Sequence, residues 1–126
     1  MPHIIVEYTD NIEVDVQKLL ARLNEEVVAT GAINMKGVKS RAIKYTQYRI
    51  ADGDPSYAFV HVGLLIREGR PIEIQKQATQ RVMQVLKETF GHLFATRKLS
   101  LTVDLKEMRE GIALTEHNIP DKTKSV

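Results

Sequence analysis

The chain has 126 residues and a mass of 14.3 kDa, enough for one domain that buries roughly two-thirds of the surface of its unfolded chain. Its 18 lysines and arginines against 16 acidic residues leave a net charge of +2, so the whole-molecule field does not favour nucleic acid or an anionic membrane as a partner. The absence of cysteine excludes disulfides, thiolate metal ligands and cysteine nucleophiles.

The amino terminus lacks the features of a targeting segment. Residues 1–4 begin without a basic stretch and an apolar run, and no run of about 18 apolar residues occurs in the sequence. We therefore expect a cytoplasmic protein with no membrane partner.

The first half of the chain predicts a strand followed by a helix. Residues 3–8 are β-branched and aromatic, as in a short buried strand. Asp10 and Glu13 have the spacing of a capping box, which predicts a helix that starts just after them and ends at Gly31. The apolar face of this helix consists of Val16, Leu19, Leu20, Leu23 and Val27.

A second, more polar strand is predicted over residues 38–50. Within it Lys39 and Arg41 are two residues apart, so both side chains project to the same side of the sheet. The composition of residues 52–55, Asp-Gly-Asp-Pro, indicates a turn after this strand.

The second half repeats this plan. Residues 57–66 form a nearly unbroken apolar run, which is typical of a strand covered on both faces. Pro71 suits the first position of a long helix, and residues 99–106 alternate apolar and polar as a half-buried strand does. From about Glu110 the sequence loses its period. The stripe of the second helix consists of Ala78, Val82, Val85, Leu86, Thr89 and Leu93.

The order strand, helix, strand occurs twice and predicts an α/β (α+β) fold of pseudo-duplicated βαβ units, a four-stranded sheet with two helices on one face. We assign residues 1–126 to a single domain, with repeats at about 2–50 and 57–108 and a carboxyl-terminal arm at 109–126. Two helices cover only one face of such a sheet, whereas the third strand is apolar on both sides. The uncovered face predicts a homo-oligomer.

Motifs for metals and cofactors are missing from the sequence. The histidines at positions 3, 61, 92 and 117 lack metal-ligand spacing, and no HExxH, EF-hand, P-loop or GxGxxG motif occurs. We therefore predict no metal and no cofactor.

A different function is suggested by residues 57–62, Tyr-Ala-Phe-Val-His-Val. They partly match the core of the RNA-recognition octamer, on the third strand of a βαββαβ order where that octamer belongs. Pro55 and Ser56 stand where the octamer has a basic residue and a glycine. The alternative function is a non-catalytic ferredoxin-like module that binds a small anion or RNA, because the element order alone fits both strand arrangements.

Pro2 supplies a secondary amine at the start of a strand once Met1 is removed, as is usual before a small second residue. Such an amine titrates at about 9, roughly a unit above an ordinary α-amino group, and is protonated at neutral pH. One guanidinium at about 8 Å, at an effective dielectric constant of about 20, disfavours protonation by roughly 2 kcal/mol. A second cation or an apolar wall lowers the pKa below about 7, so that Pro2 becomes a candidate acid and base. The candidate cations are Lys39, Arg41 and Arg70.

Several of these segments resemble the tautomerase superfamily, whose small members begin with proline and carry an arginine in a Gly-Arg turn. Pro2 opens the first βαβ unit, and residues 64–70, Leu-Leu-Ile-Arg-Glu-Gly-Arg, lead into Pro71. Within the superfamily the chain is most similar to the 5-carboxymethyl-2-hydroxymuconate isomerases. This similarity rests on residues 2–8, 10–12, 29–31, 37–41, 51–53, 57–61 and 69–70.

The resemblance implies a homotrimer that uses no cofactor and has the amino-terminal proline as its proton shuttle. Pro2 would take a proton from a dienol and return it at the far end of the conjugated system. The implied substrate is a di- or tricarboxylate dienol of the 5-carboxymethyl-2-hydroxymuconate type, formed in the breakdown of homoprotocatechuate, an aromatic compound. A weaker alternative to this function is a protein of the tautomerase fold that retains only promiscuous ketonisation activity.

The resemblance also implies residues that bind the substrate. Arg70 matches a carboxylate-binding arginine, and Lys39 and Arg41 lie in the strand that carries the family's other cationic contact. The family pattern has arginine where this chain has Lys39, and lysine offers a point charge in place of a planar fork. Which of Lys39 and Arg41 contacts the substrate stays open. His117 and Asn118 lie in a segment that resembles the family's subunit-contact arm and are further candidates.

Overall fold

The computed structural model of the chain describes residues 2–120. The elements in chain order are β1 (His3–Thr9), α1 (Val16–Ala29), β2 (Lys39–Tyr45), β3 (Ala58–Arg67), α2 (Ile72–Phe90) and β4 (Leu99–Met108). This order confirms the twofold strand, helix, strand plan. Met1 and residues 121–126, the end of the predicted arm, lie outside the described residues.

The four strands form one mixed sheet in the order β2-β1-β3-β4. β1 and β2 are parallel, β3 and β4 are parallel, and the two halves meet where β1 runs antiparallel to β3. Each helix therefore connects two adjacent parallel strands, which confirms the predicted pseudo-duplicated βαβ fold. The ferredoxin-like alternative is wrong, because its split βαβ units place another strand between the two strands that a helix connects.

Both helices pack on the same face of the sheet. The even-numbered side chains of β3, residues 58–66, point to the helices and are at most 1% exposed, whereas the odd-numbered residues 59–65 are only half-buried. Within one chain β3 is thus covered on one face. We call the other face, which carries the odd-numbered residues of β1 and β3, the open face.

The start of α1 differs from the prediction. The helix begins at Val16, and the side chain of Asp15 caps it by accepting a hydrogen bond of 3.2 Å from the backbone N–H of Lys18. The predicted capping box at Asp10 was wrong, because Asp10 directly follows the end of β1 and its backbone N–H donates to the carbonyl of Tyr45, the last residue of β2, at 3.0 Å.

The end of β2 and the start of α2 also differ from the prediction. β2 ends at Tyr45, whereas the prediction extended it to residue 50, because Tyr45 pairs with Thr9, the last residue of its neighbour β1. Pro71 lies at the N-cap of α2, directly before the first helical residue. At the other end of α2, Phe90 fills the core, whereas the predicted Thr89 is only partly buried.

Phe90 is 1% exposed and is among the largest fully buried side chains. We expect Phe90→Ala to lower the free energy of unfolding by about 3–5 kcal/mol, because it removes buried surface and leaves a cavity. Urea unfolding monitored by circular dichroism measures this loss. The control is Phe94→Ala, since Phe94 is 53% exposed and its removal should cost less than about 1 kcal/mol. Equal losses in the two variants would contradict the assignment of Phe90 to the core.

The open face carries a row of polar side chains that spans all four strands. His61 lies between two carboxylates, with Nδ1 3.6 Å from Glu7 Oε1 and Nε2 3.2 Å from Asp104 Oδ1. The hydroxyl of Tyr45 donates to the other oxygen of Glu7, and this hydrogen bond raises the pKa of the tyrosine above its usual value.

Among residues 2–120, no helix is long and apolar enough to cross a membrane.

Candidate active site

The start of β1 faces a cavity of about 120 Å³. It lies between the segment after α1 and the turn after β3. Its lining includes three residues that the sequence predicted for the site, Pro2, Arg70 and His117, together with two that it did not, Lys36 and Arg67. The structure therefore brings the predicted amine and a predicted carboxylate-binding cation to one place.

Two larger hollows, of about 370 and 570 Å³, lie beside the amino-terminal end of α1. Both are lined by Glu13 and Asp15, and Pro2 does not border either of them. A carboxylate substrate would meet negative charge there. The smaller cavity is the better candidate, because its lining combines Pro2 with cationic side chains.

Pro2 is buried and tied to the neighbouring strand. Its carbonyl accepts a hydrogen bond of 3.0 Å from the backbone N–H of Lys39, which extends the parallel β1–β2 pairing by one residue. This bond holds the start of the chain in the sheet, where a free terminus would otherwise fray.

Arg70 follows a glycine turn whose backbone is held at several points. Gly69 has φ +102°, a conformation that favours glycine, and its N–H donates to Glu107 Oε2 at 3.3 Å. The amide of Gln75 donates to the carbonyl of Arg70 at 2.9 Å. The guanidinium is held as well, because Arg70 Nε donates to the carbonyl of Ala32 at 3.1 Å. Arg70 thus reaches the cavity as a fixed cation.

The opposite wall of the cavity comes from the segment that follows α1. Gly31 follows the C-cap of α1 and has φ +84°, so the helix ends there as predicted. The hydroxyl of Thr30 donates to the carbonyl of Val27 at 2.6 Å and accepts from the N–H of Ala32 at 3.2 Å. These bonds fix Ala32, whose carbonyl holds Arg70.

Lys39 and Arg41 occupy a different position from the one expected for cavity cations. They pair with His3 and Ile5 of β1 and share the open face with them, and neither side chain borders the cavity of its own chain. They do lie on the same side of the sheet, as predicted. Their role in substrate binding stays a prediction.

The two candidates in the arm are separated by the structure. His117 borders the cavity, and its Nδ1 accepts a hydrogen bond of 3.1 Å from the backbone N–H of Ile119. An accepting Nδ1 leaves the proton of a neutral ring on Nε2, which can then donate. Asn118 is exposed and does not border the cavity.

His3 is held in its neutral form. Burial lowers its pKa below 6.5, and the nearby cations Arg41 and Lys39 lower it further. The geometry agrees, because Arg41 Nη1 lies 3.0 Å from His3 Nδ1. A guanidinium can only donate, so that ring nitrogen must accept and carries no proton.

This environment makes stability depend on pH. Because the pKa of His3 is lower in the folded than in the unfolded chain, the unfolded state binds more protons as the pH falls below about 6.5, and stability decreases there. We expect His3→Gln to lose less stability between pH 7 and pH 5 than the wild type, measured by urea unfolding at both values. His92→Gln, a change at an exposed histidine, is the control. An unchanged pH dependence in His3→Gln would contradict this account.

A metal-binding cluster is not present in the part of the chain that the structure describes: no three His, Asp or Glu side chains there are grouped so as to hold an ion. The donors around the cavity are cationic or amide groups. Such a lining suits an anionic ligand.

The fold and the Pro2 cavity together define a protein of the tautomerase superfamily. A structure described as "Q0 fused 4-OT wild type symmetric trimer" shares the fold, with a TM-score of 0.66, 18% identity and 96% of each chain covered. Within this superfamily the chain belongs to the 5-carboxymethyl-2-hydroxymuconate isomerase family, which it matches over residues 2–123. The resemblance seen in the sequence is thereby confirmed.

Two relatives support the family assignment. A 5-carboxymethyl-2-hydroxymuconate Delta-isomerase of Escherichia coli is 35% identical over 121 residues, which are 94% of this chain and 96% of the relative. The crystal structure of a 5-carboxymethyl-2-hydroxymuconate isomerase from Deinococcus radiodurans R1 has a TM-score of 0.91 and 33% identity, with 98% of this chain and 95% of the other covered. The protein is accordingly an enzyme, an isomerase of this superfamily.

Proposed function

We propose that this isomerase moves a proton along a carboxylated 2-hydroxydienoate of the 5-carboxymethyl-2-hydroxymuconate type, in aromatic catabolism in the cytoplasm. The observation that carries the proposal is that Pro2 and Arg70 border the same cavity. The relatives in Escherichia coli and Deinococcus radiodurans are named for 5-carboxymethyl-2-hydroxymuconate, and these names supply the substrate type.

Pro2 is the acid and base of the proposed reaction, after removal of Met1. Its nitrogen takes the proton of the substrate hydroxyl, and the O–H bonding pair becomes the second bond of a carbonyl. The double bonds shift along the chain, and the terminal carbon takes the proton back from the Pro2 nitrogen. Atoms and electrons balance within the substrate, and one group with a pKa near neutrality serves both half-steps.

The surroundings of Pro2 support a lowered pKa of its amine. Burial of Pro2 disfavours the charged ammonium. The cationic side chains of Lys36, Arg67 and Arg70 border the same cavity and act in the same direction. The same charges attract a carboxylate, so that one arrangement binds the substrate and keeps the base uncharged.

Arg70 is the proposed carboxylate anchor. Its Nε is occupied by the carbonyl of Ala32 at 3.1 Å, and the two terminal nitrogens make no hydrogen bond within residues 2–120. A carboxylate can accept from both terminal nitrogens of a guanidinium, which fixes its orientation. His117 Nε2 is the second donor that we propose at this cavity.

The proposed assembly is a homotrimer in which neighbouring chains cover the open face. The half-buried, partly apolar residues of β3 on that face support this proposal, since a sheet covered on one side exposes them. Lys39 and Arg41 project from the open face, so we propose that they serve the cavity of a neighbouring protomer. We propose that Asn118, in the arm, also acts across the interface between neighbouring protomers.

The proposed reaction is tested by ultraviolet spectroscopy of a 2-hydroxymuconate-type dienol, with and without enzyme, across pH 5 to 9. We expect conversion to the conjugated ketone at a rate that rises with pH through one ionisation below about 7. A rate equal to the uncatalysed one at every pH would contradict the proposed function. Sedimentation velocity tests the assembly, with a mass of three chains expected.

A further inference from the structure

We propose that Gln75 and Glu107 are positioning residues, which hold Arg70 in the place where it binds the substrate carboxylate. Neither residue borders the cavity of Pro2, so both act through the backbone of the turn that carries Arg70. The inference rests on the proposed function, because it takes Arg70 as the carboxylate anchor.

The turn that carries Arg70 has little packing to hold it. Residues 68–71 connect the end of β3 to the start of α2, and Gly69 lies among them with φ +102°. A Cβ placed on Gly69 would meet no atom of the described chain within 4 Å beyond its sequence neighbours. Within residues 2–120, no backbone–backbone hydrogen bond outside the helices and strands involves Gly69 or Arg70. Because glycine has wide backbone freedom, the position of Arg70 depends on side chains that bond to the turn.

Gln75 and Glu107 supply these bonds from two regular elements. Gln75 lies near the start of α2, and its side-chain amide donates to the carbonyl of Arg70 at 2.9 Å and to Glu107 Oε2 at 3.4 Å. A primary amide carries two hydrogens, so it can make both bonds at once. Glu107 lies in β4, and the same oxygen accepts the N–H of Gly69 at 3.3 Å. The two side chains and the turn thus form a closed ring of hydrogen bonds.

This ring affects the guanidinium because Arg70 is also held at the far end of its side chain. Its Nε donates to the carbonyl of Ala32, on the opposite wall of the cavity, at 3.1 Å. A shift of the turn would break this bond and release the side chain. When both ends are held, the rotamer freedom of the arginine is lost on folding and not on binding, which favours affinity. We therefore expect loss of either positioning residue to weaken substrate binding.

The first test is Gln75→Met, because methionine is uncharged, unbranched and of similar length but cannot donate to the turn. We expect KM for the 2-hydroxymuconate-type dienol to rise about three- to tenfold, the range of one neutral hydrogen bond, with kcat within about twofold of the wild type. A purely structural role would lower kcat through loss of folded enzyme and leave KM unchanged. That result, or a wild-type KM, would overturn the inference.

The matched control is Gln84→Met. Gln84 is an exposed residue of the same helix, and its amide also donates to a carboxylate, that of Glu88, at 3.1 Å. We expect wild-type kinetics. A similar rise of KM in this control would assign the effect to a general change in α2 and overturn the role of Gln75.

Two variants of Glu107 separate the hydrogen bonds from the charge. Glu107→Gln and Glu107→Ala both remove one negative charge, but only glutamine keeps an oxygen that can accept from Gly69 and Gln75. We expect Glu107→Gln to keep KM within about twofold of the wild type, and Glu107→Ala to raise it about three- to tenfold. Equal values of KM in the two variants would show that Glu107 acts by charge and would overturn its positioning role.

A double-mutant cycle tests whether Gln75 acts through Arg70. Residues that act through one group are not additive, so Gln75→Met should change KM by less than about twofold when it is added to Arg70→Ala. A further rise of KM by the full factor seen in the single variant would show that Gln75 acts independently of Arg70, contrary to the inference.

A measurement without substrate separates this inference from the proposed function. Nitrogen-15 NMR follows the hydrogen exchange of the Arg70 Nε–H group, whose signal is assigned by its absence from Arg70→Ala. We expect Gln75→Met to speed this exchange about three- to tenfold, since it loosens the bond to Ala32, and Gln84→Met to leave it unchanged. If the wild type does not convert the dienol but the exchange responds in this way, the proposed function fails and the positioning stands. If the wild type converts the dienol while Gln75→Met changes neither KM nor the exchange, the positioning fails alone.

Discussion

Pro2→Ala is expected to lower kcat by about two to four orders of magnitude, the usual contribution of a positioned acid and base. The variant starts with a primary amine of different basicity, and it loses the ring that fixes the backbone at the start of β1. KM should change little, because Arg70 and the other cavity cations remain in place. Steady-state kinetics with the dienol, monitored in the ultraviolet, measure both parameters.

The control for this variant is Pro55→Ala. Pro55 is an exposed turn residue, and the carbonyl that Asn11 contacts at 3.2 Å is kept by alanine. Its kinetics should equal those of the wild type. Intact mass must confirm that Met1 is absent from each protein, because a retained methionine converts the Pro2 nitrogen into an amide. Wild-type kinetics in a demethionylated Pro2→Ala protein would contradict the role of the proline.

Arg70→Ala is expected to lower kcat/KM about 10- to 150-fold, mostly through KM. The estimate converts a hydrogen bond to a charged group, worth about 1.5–3 kcal/mol, into a ratio of rates. Arg70→Lys should recover only part of the loss, because lysine cannot both donate to the carbonyl of Ala32 and offer a planar pair of donors to the substrate. The dependence of the initial rate on substrate concentration gives kcat and KM separately.

The matched control is Arg81→Ala. Arg81 lies on the exposed side of α2, where it pairs with Glu26 of α1 at 3.1 Å, and an exposed pair of this kind contributes little to stability. Its kinetics should stay within about twofold of the wild type. A fall in kcat with unchanged KM in Arg70→Ala would show that Arg70 acts on the transition state alone, contrary to the proposed anchor.

The fold was predictable where a local pattern determined it. The alternation of residues 99–106 has a period of two, and the apolar stripes of the two helices, with Leu23 in α1 and Val82 in α2, have a period of 3.6. The structure confirms these patterns. The helix start was misplaced because Asp10 has the spacing of a cap, whereas pairing with β2 holds its backbone in the sheet. Pairing between distant segments has no local signal in the sequence.

The site was predictable only in part, for the same reason. Pro2 and Arg70 were singled out by chemistry and resemblance, and the chain topology brings them to one cavity. Lys36 and Arg67 were missed as site residues, although Arg67 lies within the segment 64–70 quoted for the resemblance and Lys36 directly precedes the quoted residues 37–41. Lys39 and Arg41 were grouped with the cavity by their charge, but alternation along β2 directs them to the open face.

The central claim is an uncharged amine at Pro2, and its titration by nitrogen-15 NMR measures this directly. The four prolines of the chain are labelled, and after loss of Met1 only Pro2 has a nitrogen that binds a proton near neutral pH. We expect a pKa below about 7, lowered by burial and by the cavity cations. A value of about 9, that of an unperturbed proline amine, would mean that the group is protonated at neutral pH and would contradict the proposed mechanism.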